Sequence, residues 1–447
     1  MWRSPLTIHI QGGFHMNYSK HLKQTLFSLV GEMEKESFLY VKDPARDFIR
    51  NRKLSFSKTM KIILSMGGDN LRNEILSHFN FKSDAITTSA FCQQRSKIKY
   101  QAFETLFHRF NASFKQVRKH RGYSLLACDG SAVRVPLETD DFIYRSQGGF
   151  DRYEGNYIHL NALYDICNKR YVDALIEPEH IRKEKDAFIQ MIHRNNLDSK
   201  TVFIADRGYE SYNVMAHIQS KSQFYLIRIK DNHKGGFAQA YPHPDSDEYD
   251  ETYTRIFTRK RAKEYLDSSK YTFVRHKYTQ DYFTPEHEMY EMTFRILRMK
   301  ISEDKYVCLV TNLSKEAFDA NEIKELYKMR WGIETSFKEL KYAAGLTCFH
   351  SKKEELIFQE IYARLILYNF CQSIALHIKL RQKKRKHTYQ LNYTMAIKIC
   401  RNFMKYDKAP PSDVEKLLEK ELLPIRPGRN SVRTRTTKSM VGFLYRI

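Results

Sequence analysis

Hydrophobic positions change their period several times along the chain, and each change marks a new kind of element. In FSKTMKIILSMGGDNLRNEILSHF, Met60, Ile63 and Leu64, then Leu71, Ile75 and Leu76 past a Gly-Gly break, recur at intervals of three to four. That is the period of an amphipathic helix. TTSAFCQQRSKIKYQAFETLFHRFNASF opens on Thr and Ser, residues that cap helices, and residues from about 20 to 120 read as helical. The basic positions Arg95, Lys97 and Lys99 make this a candidate DNA-binding unit, or simply a helical pair with a solvated face.

From Tyr123 the pattern shortens. SLLACDG reads as a buried strand that stops at a turn at Asp129-Gly130. YIHLNALYDI (157–166) and RYVDALIEP (170–178) read as a hairpin around Cys167-Asn168-Lys169. A helix over 183–195, a strand over 201–206, a helix near 211–220 and a strand over 223–230 follow, which predicts an α/β fold with a mixed sheet. Short strands then dominate residues 231–313: EYDETYTRIFT, KYTFVRHKYT, MYEMTFRILRMKI and KYVCLVTNL. Helix returns at Asp319, an N-cap with Glu322 three residues on, and runs through Tyr342. Residues 354–405 are again helical. The apolar stretch Ile357–Ile378 carries Glu360 and Arg364, which suits a buried helix better than a membrane span. The predicted divisions are 1–120, 121–230, 231–313, 314–352 and 353–447, with no internal repeat.

Charge narrows the function. The 447 residues carry 75 Lys+Arg against 52 Asp+Glu, a net charge of +23. Self-repulsion on that scale does not help a fold, and its usual explanation is a polyanionic partner, by default nucleic acid. Seven scattered cysteines form no C-x-x-C pair and no finger-like Cys/His spacing, so they read as free, buried thiols. The N-terminus lacks a secretory signal and reads as a leader with Met16 as an alternative start, so the chain reads as soluble and intracellular. Two basic stretches, Arg381–His387 and the tail with Arg426, Arg429, Arg433 and Arg435, are candidates for phosphate contact.

The segment NEIKELYKMRWGIETSFKELKYAAG carries the most chemistry. At about 100° per residue, Tyr327 falls about 20° to one side of Glu334, with Arg330 about 40° and Lys341 about 20° to the other. Leu326, Met329, Ile333, Phe337, Leu340 and Ala344 occupy the neighbouring core face. Arg330 and Glu334 alone would be an ordinary i,i+4 ion pair. Their company changes the reading, because Asp129 and Asp206 each close a short apolar strand and are followed by DG and DRG. In open α/β sheets, ligands gather beyond the carboxyl ends of strands. Two strand-end carboxylates and one helix-edge carboxylate can hold one or two Mg²⁺ or Mn²⁺ ions through oxygen alone. A pair of such ions about 4 Å apart activates the attacking oxygen and steadies the leaving one in phosphodiester cleavage. Arg330 and Lys341 would grip phosphate oxygens, and Tyr327 would bond a phosphate or pack on a sugar. His159 and Asn161, on the strand beside Asp129, either sit near the metals or are ordinary satisfied sheet positions.

This Asp-Asp-Glu order resembles the DDE transposases of bacterial insertion sequences. The spacing Tyr327-x2-Arg330-x3-Glu334-x6-Lys341 resembles the Y-R-E-K signature of the insertion-sequence-four group, and ACDGS, ADRGY, TNL and RWGIETSFKELK match it too. The resemblance covers about residues 40 to 445. It implies a ribonuclease-H-like catalytic core interrupted by a β-rich insertion between Asp206 and Glu334, with helical N- and C-terminal regions. It implies Asp129, Asp206 and Glu334 as catalytic metal ligands that hold Mg²⁺ (or Mn²⁺), as two ions. Tyr327, Arg330 and Lys341, with Arg207, Trp331 and Lys338, are the expected DNA contacts. Double-stranded DNA, both element ends and target, is the expected partner of a homodimer in a synaptic complex. No membrane partner is expected, and the expected location is cytoplasmic, at the bacterial nucleoid. Some relatives stack a flipped base on a tryptophan of the insertion; here the tryptophans are Trp2 and Trp331, leaving Tyr253, Phe257, Tyr265, Phe273 or Phe283 as stacking faces or as strand packing. A nuclease without strand transfer and a domesticated DNA-binding protein are the rival readings.

Overall fold

The computed structural model describes residues 18–50, 52–114, 118–138, 143–146, 154–195, 200–231, 237–275, 280–283, 288–303, 305–378, 387–405, 413–425 and 442–443. Met16, residues 381–386 of the basic run and the four tail arginines lie outside them.

Helices open the fold: α1 (Tyr18–Lys35), α2 (Phe56–Ser65), α3 (Leu71–His78), α4 (Thr88–Arg95) and α5 (Gln101–Ala112). Ser55, Asn70 and Thr87 start α2, α3 and α4, each side chain accepting the backbone N–H three residues on. Each cap satisfies a donor that the first helical turn leaves open.

The sheet follows with β1 (Ser124–Arg134), β2 (Arg145–Ser146), β3 (Gly155–Asp165), β4 (Arg170–Pro178), β5 (Thr201–Ala205) and β6 (Phe224–Ile229). Strands β7 (Tyr249–Thr258), β8 (Tyr271–Phe273), β9 (Met289–Ser302) and β10 (Lys305–Thr311) extend it. All ten form one mixed sheet in the order β2-β3-β1-β5-β6-β10-β9-β7-β8, with β4 also paired to β3. β3 is antiparallel to β1 and β4, whereas β5 runs parallel to both β1 and β6. Helices α6 (Glu184–Arg194) and α7 (Tyr212–Ser220) provide the crossovers into β5 and β6. β10 pairs antiparallel with β6, so the β-rich stretch grows directly from the edge of the preceding strands. Among the described residues of KYTFVRHKYT, Tyr271–Phe273 is strand and pairs with β7.

Two expectations need correction. β1 does not stop at Asp129-Gly130 but continues to Arg134, because residues Gly130 to Arg134 pair with Asn161 to Tyr157 of β3. The helix from Asp319 is interrupted. α8 (Ala320–Met329) has the expected Asp319/Glu322 capping box and meets α9 (Trp331–Lys338) at Arg330. There Arg330 N–H bonds the Tyr327 carbonyl and Ile333 N–H bonds that of Arg330, each at 3.1 Å, the tighter i,i+3 pattern. A π-helical turn over Glu339–Ala343 follows.

Helices α10 (Glu354–His377), α11 (Tyr393–Lys405) and α12 (Val414–Lys420) follow, and the reading of 354–405 as helical is corrected too, because Tyr389–Leu391 is a short strand paired antiparallel with Leu422–Pro424. α10 is buried continuously from Leu356 to Ala375, and no helix among the described residues is long and apolar enough to cross a membrane. Its side chains join α1, α2 and α5 to one face of β1, β3 and β4 in a single apolar cluster, while α6 and α7 cover the other face.

Charges are buried inside this helical layer. Arg95 on α4 donates to Gln359 Oε1 (3.0 Å) and Glu360 Oε1 (2.9 Å), and His350 Nδ1 lies 3.0 Å from Glu360 Oε2. Arg364 stands 3.8 Å from Glu360 and donates to the Gly67 carbonyl. Burial alone would raise the Glu360 carboxyl, but His350, Arg95 and Arg364 outweigh it and hold the group far below the usual carboxylate range. A pKa depressed from an unfolded value of about 4.3 means this stabilisation is complete above that pH and fades as pH falls through the folded value. Glu360→Gln is therefore expected to destabilise by about 3–5 kcal/mol near neutrality, since it leaves buried arginines without their counter-ion. Urea unfolding of both proteins across pH checks this: the gap should narrow below about pH 4, and a gap independent of pH would contradict it.

Candidate active site

The site begins in strand register. β1 and β5 run parallel up to Cys128 opposite Ala205, so Asp129 and Asp206 are the next residues on neighbouring strands. β5 ends there, whereas β1 continues against β3. Side chains alternate faces with period two, so Asp129 follows Leu125 and Ala127, and Asp206 follows Val202 and Ile204. Leu125, Val202 and Ile204 pack with Ile323, Leu326 and Tyr327 of α8, and Ala127 shares a core with Ile333 and Phe337 of α9. Both aspartates therefore emerge on the face that carries Glu334.

Arg330 occupies the space between these acids. Its Nη2 donates to Glu334 Oε1 at 2.7 Å, and its Nη1 lies 3.9 Å from Asp129 Oδ2. The side chain is almost wholly buried, and its guanidinium lies 5.6 Å from the Tyr327 ring centre and 5.5 Å from that of Trp331. Burial pushes the Asp129 carboxyl up to about 6; the Gly130 amide and Arg330 oppose the shift, and the charges of Asp206 and Glu334 add to it. Asp206 is held by its own turn, Oδ1 accepting the Gly208 N–H at 2.8 Å. Burial raises the Tyr327 phenol, with Arg330 and Arg228 pulling it down and Asp206 pushing it up, so its hydroxyl borders the same group of charges.

The other expected contacts lie around this centre. Lys341, in the π turn, donates to the Ala132 carbonyl at 2.8 Å, three residues up β1 from Asp129. Arg207 and Lys338 are exposed, and Trp331 is 57% exposed on the outer side of Arg330. In the β-rich stretch, Tyr253 and Phe257 are buried in strand packing, while Phe273 is exposed.

The acidic groups here offer only carboxylate oxygens, and burial with the charges of Asp206 and Glu334 raises the Asp129 carboxyl despite Arg330, which is the donor chemistry a hard divalent cation satisfies. Among the described residues, however, no three His, Cys, Asp or Glu side chains form a ready-made metal cage. Arg330 supplies the positive charge in their midst.

A second layer lies on the opposite side of β1. His159, 3% exposed, faces Gly130 from β3, with its Nε2 2.9 Å from Glu184 Oε1 and its Nδ1 3.6 Å from Glu179 Oε2. A side chain at Gly130 would overlap the His159 ring, so this glycine serves close approach rather than a turn. Glu184 also reaches toward Gly208, where Asp206 Oδ1 lies 3.1 Å and Glu184 Oε2 3.8 Å from the point at which a side chain would begin. Burial works against the His159 imidazolium, but Glu179 and Glu184 outweigh it and raise its pKa. Asn161 lies outside this bridge and donates to Glu177 Oε2 at 2.8 Å. The sequence reading put His159 on the strand neighbouring Asp129, and its side chain lies on the opposite face of β1; no local signal links it to Glu184, which only the packing of α6 brings there.

A sequence profile of the transposase DDE domain matches residues 120–370. The transposase for insertion sequence element IS231E of Bacillus thuringiensis subsp. finitimus is 22% identical over 293 residues, 58% of either chain. The IS231F transposase of subsp. israelensis is 24% identical over 292 residues, again 58% of each. The chain thus spans a little over half the length of these relatives. The putative transposase InsL for IS186A of Escherichia coli (strain K12) is 34% identical over 61 residues, 14% of this chain and 16% of that one. A cryo-EM structure of the piggyBac transposase synaptic complex with hairpin DNA aligns with TM-score 0.44 and 8% identity, over 94% of this chain and 88% of that one.

The Gly130–His159 contact yields a test. Gly130→Ala is expected to destabilise by about 1–3 kcal/mol through overpacking. In a His159→Ala background the added methyl enters vacated space, so thermal or urea unfolding of the double-mutant cycle should show most of that cost removed. Additive costs would mean that the two residues do not press on each other.

Proposed function

Because the chain belongs to the transposase DDE domain family, we propose that it binds the ends of an insertion sequence, cuts the DNA there and joins the 3′-OH ends to target DNA. The observation that carries this reading is the emergence of Asp129 and Asp206 side by side from parallel strands, under a helix bearing Glu334 and Arg330. The names of the insertion-sequence relatives support it, as does the net charge of +23. An antiparallel β4-β3-β1 unit followed by parallel β5 and β6 supports a ribonuclease-H-like core, with residues 231–313 as its insertion and helical regions on either side. The spacing of Tyr327, Arg330, Glu334 and Lys341 supports assignment to the Y-R-E-K group.

In this reading Asp129, Asp206 and Glu334 hold one or two Mg²⁺ or Mn²⁺ ions, which when bound supply Lewis-acid activation of the attacking and leaving oxygens. Arg330 has a double role. In the free protein it neutralises Asp129 and Glu334, and with DNA present its fork turns to a phosphate beside the cut. Tyr327 and Lys341 flank it, Lys341 as a point charge anchored to β1. Trp331, exposed beside Arg330, offers a face for a sugar or base, and Arg207 and Lys338 extend the basic rim. Two copies of the chain, each bound to one end, make the synaptic homodimer.

The deciding experiment incubates the protein with Mg²⁺ and labelled DNA carrying the element ends. Cleaved and joined products are expected, and Asp129→Asn, Asp206→Asn and Glu334→Gln should each lower product formation by about 10³-fold while leaving DNA binding intact. Cleavage without joining would reduce the protein to a nuclease. Binding with no product from the unaltered protein would reduce it to a DNA-binding protein.

A further inference from the structure

The N-terminal helical region holds a cavity of 280 Å³ whose lining includes Arg46, Phe48, Ile49, Arg50, Arg52 and Lys97, none of them part of the acidic site. The loop before α2 is built to keep these residues in place. Asp47 accepts the Asp43 N–H at 3.0 Å and lies 3.6 Å from Lys97, whose ammonium stands 5.8 Å from the Phe48 ring. Phe48 adopts φ +60°, a left-handed conformation uncommon for a bulky residue, and its ring packs edge-on against Phe56 at 5.8 Å. Pinned at Asp47 and Phe48, the chain then turns outward: Ile49 is 63% exposed, and Arg50 and Arg52 are exposed as well. Arg46 has only a long, solvent-exposed contact with Asp43, at 3.7 Å. Among the described residues, Arg50 and Arg52 have no ion pair or hydrogen bond.

Guanidinium groups gathered around one cavity repel each other, and the acids nearby are already committed to Arg46 and Lys97. A bound anion relieves that repulsion, and the guanidinium fork matches two oxygens of a phosphate. An exposed isoleucine at the rim suits the apolar faces of a deoxyribose better than it suits a free ion. We infer that this cavity seats a backbone phosphate of double-stranded DNA, with Arg50 and Arg52 as its principal contacts and Ile49 against the adjoining sugar. This rests on the DNA-binding reading above and assigns part of that binding to a site separate from the acids.

The test measures binding of a fluorescein-labelled duplex of about 30 base pairs by anisotropy across a salt series, in Ca²⁺-free and Mg²⁺-free buffer with the full chain. Arg50→Ala/Arg52→Ala should weaken binding about five- to tenfold near 0.1 M salt and flatten the slope of log K against log salt by about two. Lys416→Ala/Lys420→Ala, which removes the same charge from exposed positions on α12, should change affinity less than twofold and leave the slope within about 0.5. Equal losses from both pairs would overturn the site in favour of a diffuse charge effect, as would an Arg50/Arg52 variant that binds like the unaltered protein. If the unaltered protein itself binds no duplex, the DNA-binding reading falls and this inference falls with it. Melting temperatures of both variants should match the parent, since all four side chains are exposed; an unfolded arginine variant is replaced by Arg50→Gln/Arg52→Gln, to which the same limits apply.

Discussion

The repulsion between Asp129 and Asp206 is the constraint around which the core is organised. A parallel ladder that stops at Cys128 and Ala205 delivers two carboxylates at one level on adjacent strands, and burial of Asp129 raises its carboxyl further. Arg330 answers that repulsion from a helix packed across the same face. The break between α8 and α9 falls at this arginine, and the π turn comes one helical stretch later, so local helix irregularity clusters where side chains must reach the sheet. Irregular turns of this kind inside helices commonly accompany functional sites.

The acids also depend on what lies behind them. Gly130 admits His159, and His159 stands between Glu184 and Glu179 on the far side of β1 from Arg330. Farther out, α10 is tied to α4 and to Gly67 through Arg95, Glu360 and Arg364. Buried ion groups of this sort contribute little net stability over apolar packing, but they penalise every arrangement that separates the partners. Residues far apart in the chain are thereby committed to one packing.

Much of this was legible in the sequence because period and punctuation are local. The hairpin at Cys167–Lys169, the crossovers near 184 and 212, the Asp319 cap and the buried α10 all follow from short-range patterns. Asp129-Gly130 misled for a physical reason: a glycine that leaves room for a neighbouring ring looks the same in sequence as one that turns the chain. The interruption at Arg330 was hidden because Gly332, two residues on, weakens a helix without having to break it. Arg330 between the acids, and Glu184 behind them, arise from tertiary register that no window of neighbouring residues contains.

β10 is stitched to β6 by main-chain hydrogen bonds along Cys308–Thr311. Along that ladder the β-rich stretch and the core share one pleat. Any torque applied to the outer strands must twist the shared pleat, and the twist reaches β5 and Asp206 through only one intervening strand. The added strands therefore continue the same sheet that bears the aspartates, so their twist and that of β5 belong to one continuous surface.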